Sequence, residues 1–265
     1  MAISRQARVV NWNQGECSSR NDEIATETPV ALTYNKRSLV VMMATPRDLE
    51  DFATGFSLTE GIIRQPADIL DVSIIERKKG LELAMTVNEE CFSRFGEQRR
   101  NLVGRTGCGL CGAESLDQAM RNPSIVDSKV SVPTHALHRA IEALDENQPL
   151  QVVTGAVHGA AWCDTGGEIK VLREDVGRHN ALDKLIGHLH RTGFDRDDGF
   201  VLVSSRASYE MVFKAAAAGV EILVAVSAPT TLAIDYAQRS GLTLVGFARP
   251  GRHNVYTFEG RIQNQ

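Results

Sequence analysis

The second half of the chain constrains the fold most. Strand-like and helix-like segments take turns there: Phe200 to Ser204, a helical pattern over Tyr209 to Ala218, then Ile222 to Val226, Leu232 to Arg239 and Leu242 to Phe247. The strand segments are apolar along their whole length rather than at alternate residues. Strands of that kind are buried on both faces, which implies an α/β layer with a largely parallel stretch of sheet. Just upstream, Thr134 to Asn147 reads as a helix with Leu137, Ala140, Ile141 and Leu144 on one face. Ala156 to Cys163 and Glu168 to Arg173 read as a hairpin, and Asn180 to Arg191 as a further helix.

The first half follows a different rule. Pro29 to Tyr34 and Ser38 to Met43 flank a turn at Asn35-Lys36-Arg37, and Ile69 to Glu76 and Leu81 to Val87 flank one at Lys78-Lys79-Gly80. Between the hairpins, Thr45-Pro46 reads as an N-cap with proline at the first helical position, and Leu49, Phe52, Phe56 and Ile63 give one apolar helical face. The expected organisation is a flexible tail over residues 1–20, a small α+β domain over 21–103, a glycine-rich segment and linker over 104–132, and a larger α/β domain over 133–265.

Composition narrows the function classes. Lys and Arg number 29 against 33 Asp and Glu, for a net charge of −4, which argues against a dedicated nucleic-acid binder. No run approaches the ~18 apolar residues of a membrane span, and Met1 to Cys17 lacks the apolar centre of a secretory signal. The five cysteines are an odd set, with Cys17, Cys91 and Cys163 isolated and only Cys108 and Cys111 adjacent. That is no disulfide framework, so a reducing cytoplasm is expected.

Cys108 and Cys111 lie within Gly104-Arg105-Thr106-Gly107-Cys108-Gly109-Leu110-Cys111-Gly112. A zinc knuckle needs two further ligands, and neither a second CxxC nor a nearby His pair supplies them. A thioredoxin-type pair would open a helix directly after a strand, whereas this one sits among glycines. Sulfur carriage fits better. A free thiol with pKa ~8.5 is only about 3% thiolate at pH 7, and a pKa of ~7 makes it about half ionised. Arg105 and a helix start at Ala113-Glu114-Ser115 both favour the thiolate, and the glycines let a donor approach the backbone. A loaded thiol is a persulfide, from which a companion thiol can expel the outer sulfur.

Three strand ends in the second half lead into anion-friendly segments: Ser204 to Ser208, Ser227 to Thr231, and Phe247 to Arg252. In open α/β sheets ligands bind outside the carboxyl ends of the strands, and helix N-termini favour phosphate. Ser205, Arg206, Ser208, Thr230, Arg249 and Arg252 are therefore candidates to cradle a phosphorylated ligand. For any single segment, serine and threonine as plain N-caps beside solvated arginines is an equal alternative. Glu174-Asp175-Val176-Gly177-Arg178-His179-Asn180 is a further polar cluster between a strand and a helix, with His179 beside Asp175 and Arg178. His188 and His190 read as helix-surface residues.

Together, Glu27 to Val30 (ETPV), Gly104 to Gly112 (GRTGCGLCG), Glu174 to Asn180 (EDVGRHN), Ser204 to Glu210 (SSRASYE) and Ser227 to Thr230 (SAPT) resemble the FdhD family of formate dehydrogenase accessory sulfurtransferases, over about residues 24–257. The resemblance implies transfer of sulfur from a cysteine desulfurase to the molybdenum cofactor in its bis-molybdopterin guanine dinucleotide form, before its insertion into formate dehydrogenase. It implies that Cys108 bears the persulfide with Cys111 as companion. It also implies that Phe247, Ala248, Arg249, Pro250, Gly251 and Arg252 bind the cofactor, with Pro250 stiffening the turn. A homodimer with a cytidine-deaminase-like second domain, a mixed sheet with flanking helices, is implied as well. Zinc deaminases carry H-x-E and P-C-x-x-C. The matching places here read His179-Asn180-Ala181 and Ser205-Arg206-Ala207-Ser208, so the proton-shuttling Glu and two thiolate ligands are replaced. Bound zinc and deaminase chemistry are not expected, and the crevice is instead free to take a GDP-like moiety. Two other classes stay open: a cofactor chaperone that moves no sulfur, and a dithiol oxidoreductase.

Overall fold

The computed structural model describes residues 1–93, 122–127, 129–193 and 198–264. The chain opens with β1 (Ser4–Asn13) and β2 (Glu16–Ala25), an antiparallel hairpin turning at Gln14-Gly15. This corrects the reading of residues 1–20 as a loose tail. The ladder forms although most of its side chains face solvent, Trp12 being 71% exposed. Residues 4–25 therefore lack the buried apolar alternation that marks a strand in sequence.

Strands β3 (Thr28–Tyr34), β4 (Arg37–Ala44), β5 (Ile69–Arg77) and β6 (Gly80–Val87) form one sheet in the order β4-β3-β6-β5. The two hairpins read from sequence are both present, and a parallel β3–β6 pairing joins them, Val30 opposite Leu81 through Tyr34 opposite Met85. One face, carrying Val30, Leu32, Tyr34, Leu83 and Met85, packs with Phe52 and Phe56 of α1 (Leu49–Thr59). Helix α1 does not start at Thr45-Pro46 as expected. Its cap is Asp48, held at φ 52°, because the polar groups of Thr45 are engaged elsewhere. Its N–H donates to Asp175 (2.9 Å), its hydroxyl accepts from the Val176 N–H (3.1 Å), and its carbonyl accepts from Lys184 (2.9 Å). The helix stops at Thr59, before Ile63, and Gly61 turns the chain at φ 70°.

After the short β7 (Val132–Pro133) come α2 (Thr134–Leu144) and α3 (Pro149–Thr154). The second sheet then uses β8 (His158–Asp164) and β9 (Ile169–Asp175), helix α4 (Arg178–Thr192), β10 (Gly199–Val203), helix α5 (Tyr209–Ala217), β11 (Ile222–Ala225), helix α6 (Thr231–Ser240), β12 (Thr243–Arg249) and β13 (Arg252–Val255). Terminal β14 (Ile262–Gln263) pairs with β7. The spatial order among the described residues is β13-β12-β11-β10-β8-β9. The pairs β10–β11 and β11–β12 are parallel, and the outer pairs are antiparallel. The sheet is thus mixed, with apolar layers on both faces. One layer joins Trp162, Val201 and Leu223 to α4, α5 and α6, and the other joins Cys163, Phe200 and Leu202 to Leu137 and Ile141 of α2. Fully burying side chains of this size contributes ~1.5–3 kcal/mol each, which holds the strand ends in fixed positions.

Helices α1 and α4 cross at very close range. A Cβ on Gly55 would strike the Asp183 carbonyl, and one on Gly187 would strike the Asp51 carbonyl. This crossing anchors the first sheet to the second. No helix of the described residues is long and apolar enough to cross a membrane.

Candidate functional site

The parallel strands β10, β11 and β12 end at one edge of the second sheet, and the segments that leave them are stitched into a row. Ser227 N–H donates to the Ser205 carbonyl (3.3 Å), and Phe247 N–H donates to the Ser227 carbonyl (3.0 Å). Ala207 N–H donates to the Ala228 carbonyl (3.2 Å) and Thr230 N–H to the Ala207 carbonyl (3.1 Å). The three segments singled out in sequence therefore lie together. Because β8 runs antiparallel to β10, its first residue, His158, arrives at the same edge. Gly159 N–H donates to Ser204 Oγ (2.9 Å) and Ser204 N–H donates to the Gly159 carbonyl (3.0 Å).

Individually, the candidate residues divide. Thr230 caps α6, its hydroxyl accepting from Ala233 N–H at 3.3 Å, so its side chain is already occupied. Ser205 is buried and its hydroxyl donates to the Arg206 carbonyl (3.1 Å), whereas the Arg206 side chain is exposed. Ser208 caps α5 without a side-chain capping bond, and its buried hydroxyl has no partner among the described residues. Phe247 sits at φ 51° and is 47% exposed, while Ala248 is buried. Pro250 and Gly251 form the turn between β12 and β13, with Gly251 at φ 74°, as a proline-glycine turn of type II requires. Arg249 donates to the Val226 carbonyl and to the Ala248 carbonyl (3.0 Å), which pins its guanidinium over the strand ends, and Arg252 is exposed. Beside this row lies a cavity of about 410 Å³, bounded by Asp145, Gln148, His158, Ser204, Ala248 and Arg249 among others. That volume falls in the ~300–1,000 Å³ range usual for small-molecule sites. Gln148 is only 2% exposed and its Oε1 has no hydrogen-bond donor among the described residues.

The Glu174 to Asn180 cluster performs two separate tasks. Glu174 accepts from the N–H groups of Leu150 (3.0 Å) and Gln151 (2.8 Å) and so caps the start of α3. Asp175 is fully buried, pairs with Lys184 at 2.7 Å, and accepts from Gly177 N–H (2.8 Å) and the Asn180 amide (2.9 Å). Both carboxylates are structural. Arg178 and His179 open α4 at the strand edge. His179 Nε2 lies 2.9 Å from Glu210 Oε2 on the first turn of α5, but off the hydrogen-bond direction, and Arg178 Nε is buried without a partner among the described residues. Burial pulls the His158 imidazole below its ordinary pKa, and the charges of Arg178 and His179 push the same way against Asp175.

Sequence reasoning missed His158, Glu210 and Gln148 as site residues. Each reaches the edge through a pairing distant in sequence, and only Glu210 lay in a motif. His188, read as a surface residue, instead accepts through Nδ1 from Arg173 (2.7 Å) and lies 3.5 Å from Asp51. Cys108 and Cys111 lie outside the described residues. Of the remaining thiols, Cys91 and Cys163 are buried, Cys163 being held protonated by burial, and Cys17 is exposed.

Comparison with known proteins agrees with this arrangement. Residues 25–263 match the model of the FdhD/NarQ family. The chain is similar to the sulfur carrier protein FdhD of Cupriavidus necator, 51% identical over 257 residues that cover 97% of this chain and 89% of that one. It is also similar to that of Bordetella petrii, 48% identical over 246 residues, 93% of this chain and 88% of the other. A solved structure from Desulfotalea psychrophila, provisionally described as a formate dehydrogenase accessory protein, superposes with a TM-score of 0.76 at 26% identity, covering 99% of this chain and all of that one. The chain belongs to the FdhD/NarQ family.

Proposed function

We propose that this protein is a cytoplasmic, homodimeric sulfur carrier that takes sulfur from a cysteine desulfurase and passes it to the bis-molybdopterin guanine dinucleotide form of the molybdenum cofactor before formate dehydrogenase receives it. The observation that carries the reading is identity of about half the residues, over nearly the whole chain, with relatives named sulfur carriers, in a sequence whose only close thiol pair is Cys108 and Cys111.

The chemistry balances with the thiols of this chain, the persulfide of its donor and an external dithiol reductant. The Cys108 thiolate attacks the outer sulfur of the donor's persulfide. The donor's S–S bond breaks, its cysteine leaves as thiolate, and Cys108 holds the sulfane sulfur. Cys111 thiolate then attacks Cys108 Sγ, and the S–S electron pair leaves on the outer atom as hydrosulfide, delivered to the cofactor. The two cysteines are oxidised to a disulfide, which a dithiol reductant resets. The cofactor is cargo, and the strand-edge cavity is its proposed berth. Phe247 to Arg252 and Ser205, Arg206 and Ser208 face the guanosine diphosphate arms, and His179 lies at the rim. An edge where Ser205 and Ser208 stand in place of a deaminase's two zinc thiolates, and Ala181 in place of its proton-shuttling Glu, suits that use, because it is free for a nucleotide.

Incubation with a desulfurase and cysteine, followed by intact mass, should show a sulfur adduct that Cys108→Ala abolishes and Cys111→Ala retains. An undiminished adduct in Cys108→Ala overturns the assignment. Full support of formate dehydrogenase by Cys108→Ala would favour a chaperone, and turnover of generic disulfides would favour an oxidoreductase.

A further inference from the structure

We propose that Arg178, with His158, His179 and Ser208, forms a binding site for a small anion beside the strand-edge cavity and separate from the Phe247 to Arg252 turn. Buried cations elsewhere in the molecule have carboxylate partners, as Lys184 has Asp175 and Lys214 has Asp183 and Glu60. Arg178 has none among the described residues, and its Nε is shielded from solvent without a hydrogen bond. Asp175, the nearest carboxylate in sequence, is saturated by Lys184, Thr45, Gly177 and Asn180.

The neighbours of Arg178 add to the positive excess. His158 is paired with Asp175 across β8 and β9 and is close enough to Arg178 and His179 for their charges to disfavour its protonation. His179 faces the single carboxylate of Glu210. Among the described residues, Ser208 Oγ and His179 Nε2 are further buried polar atoms without aligned partners, and the almost fully buried Gln148 leaves Oε1 unmet in the adjoining cavity that His158 lines. Buried polar groups are nearly always hydrogen-bonded in a complete structure, so several orphans around an unneutralised guanidinium mark a place where a ligand completes the set. Two helices, of fifteen and nine residues, begin here, one behind Gly177, which has no side chain to cap it, and one behind Ser208, whose hydroxyl makes no capping bond, and their dipoles favour the same sign of ligand.

A small anion can reach this site from two sources. One is the hydrosulfide, or the terminal sulfur of the persulfide, unloaded from Cys108, and that assignment rests on the sulfur-carrier reading. The other is a phosphoryl group of a nucleotide in the cavity. The anion site itself stands without either.

The full-length protein should be titrated with inorganic phosphate, with pyrophosphate and, under anaerobic conditions, with sulfide, while the imidazole resonances of His158 and His179 are followed. Saturable shifts are expected with at least one anion. Arg178→Gln should weaken that binding by about tenfold or more, and Arg178→Lys should restore most of it. Sulfide alone producing the shifts assigns the site to sulfur, and phosphate or pyrophosphate producing them assigns it to a phosphoryl group. No saturable shift with any anion, or equal affinity in Arg178→Gln, overturns the site. Loading of Cys108 by a desulfurase is read separately by mass. An unloaded Cys108 beside a working anion site defeats the sulfur-carrier reading and leaves this inference intact.

Discussion

Helix α4 holds buried charge in two opposite ways. Along its body, Asp183 accepts from Lys214 (2.9 and 3.0 Å) and Thr59 (2.7 Å), Lys214 also reaches Glu60 (3.1 Å), and Lys184 pairs with Asp175 (2.7 Å). Near its end, Arg191 and, from β9, Arg173 converge on Asp51 of α1 at 2.7 and 2.8 Å. At its first turn, Arg178 and His179 are left without aligned partners among the described residues. The helix is the same, but its body charges are fully buried while Arg178 and His179 are only partly so. What also differs is that the body charges link α1, β9, α4 and α5 to each other, whereas the first-turn charges face an open edge. Charge compensated within the chain reads as architecture, and charge left uncompensated reads as a ligand site.

The comparison breaks most directly at Lys214. Burial pulls its ammonium down, but Asp183 and Glu60 outweigh that and hold it above the ordinary lysine range, while burial pushes the Asp183 carboxyl up against the pull of Lys214. Lys214→Ala strands two buried carboxylates and should cost ~3–5 kcal/mol, measured as a lower urea midpoint. Adding Asp183→Asn should recover part of the loss. A raised folded-state pKa means this stabilisation is complete below the unfolded lysine value of 10.5 and disappears as pH rises through the higher folded value. Alkaline unfolding of the wild type should therefore lose its Lys214 component in the variant.

Next in size is the helix crossing. Gly187→Ala places a methyl group against the Asp51 carbonyl of α1, and backbone cannot rotate away as a side chain can. A cost of ~1–3 kcal/mol is expected from thermal or urea unfolding. A neutral result would mean that α1 and α4 are not held at this separation.

How legible these features were in sequence depended on whether their cause was local. Strands β10, β11 and β12 were readable as short continuous apolar runs, and helices α5 and α6 from apolar residues recurring at the helical period. The hairpin β1–β2 was not, since its ladder is made by backbone groups while side chains such as Trp12 and Val10 stay exposed. The parallel β3–β6 pairing was also unreadable, because each strand is already explained by its own hairpin. In the site, the three strand-end segments were legible from the Ser, Thr and Arg that follow apolar runs. The capping role of Thr230 is local and legible from a threonine ahead of an apolar helical pattern. His158 was invisible, since its place beside Arg178 depends on the β8–β9 register that sets it opposite Asp175, and its place at the strand edge on β8 running antiparallel to β10, where Gly159 meets Ser204, 45 residues away. Equally, nothing in Arg178 or Lys184 as letters distinguishes a cation awaiting a ligand from one locked to Asp175.

A smaller effect sharpens the comparison from the other side. Arg178→Gln removes a cation that no carboxylate of the described residues compensates, so unlike Lys214→Ala it should change stability by no more than ~0.5 kcal/mol, within the range of ordinary surface substitutions. Equilibrium unfolding of the two variants side by side tests this. A loss at Arg178 approaching that at Lys214 would make Arg178 structural and erase the distinction between the first turn and the body of the helix.

The finest test lies in the titration of His158. Its pKa is depressed, first by burial and then by Arg178 and His179, so it contributes stability that is present above the unfolded histidine value of 6.5 and is lost as pH falls through the lower folded value. Removing the Arg178 charge deletes one repulsion and leaves the burial. In Arg178→Gln the His158 imidazole should therefore titrate at higher pH than in the wild type while staying below 6.5, as followed by its ring-proton resonances. A bound anion at the same edge should act in the same direction by supplying negative charge instead of removing positive charge. The two effects should not add fully, because the anion that raises the His158 pKa is the one Arg178 holds. Full additivity in the variant would mean that anion and guanidinium act on His158 from different places.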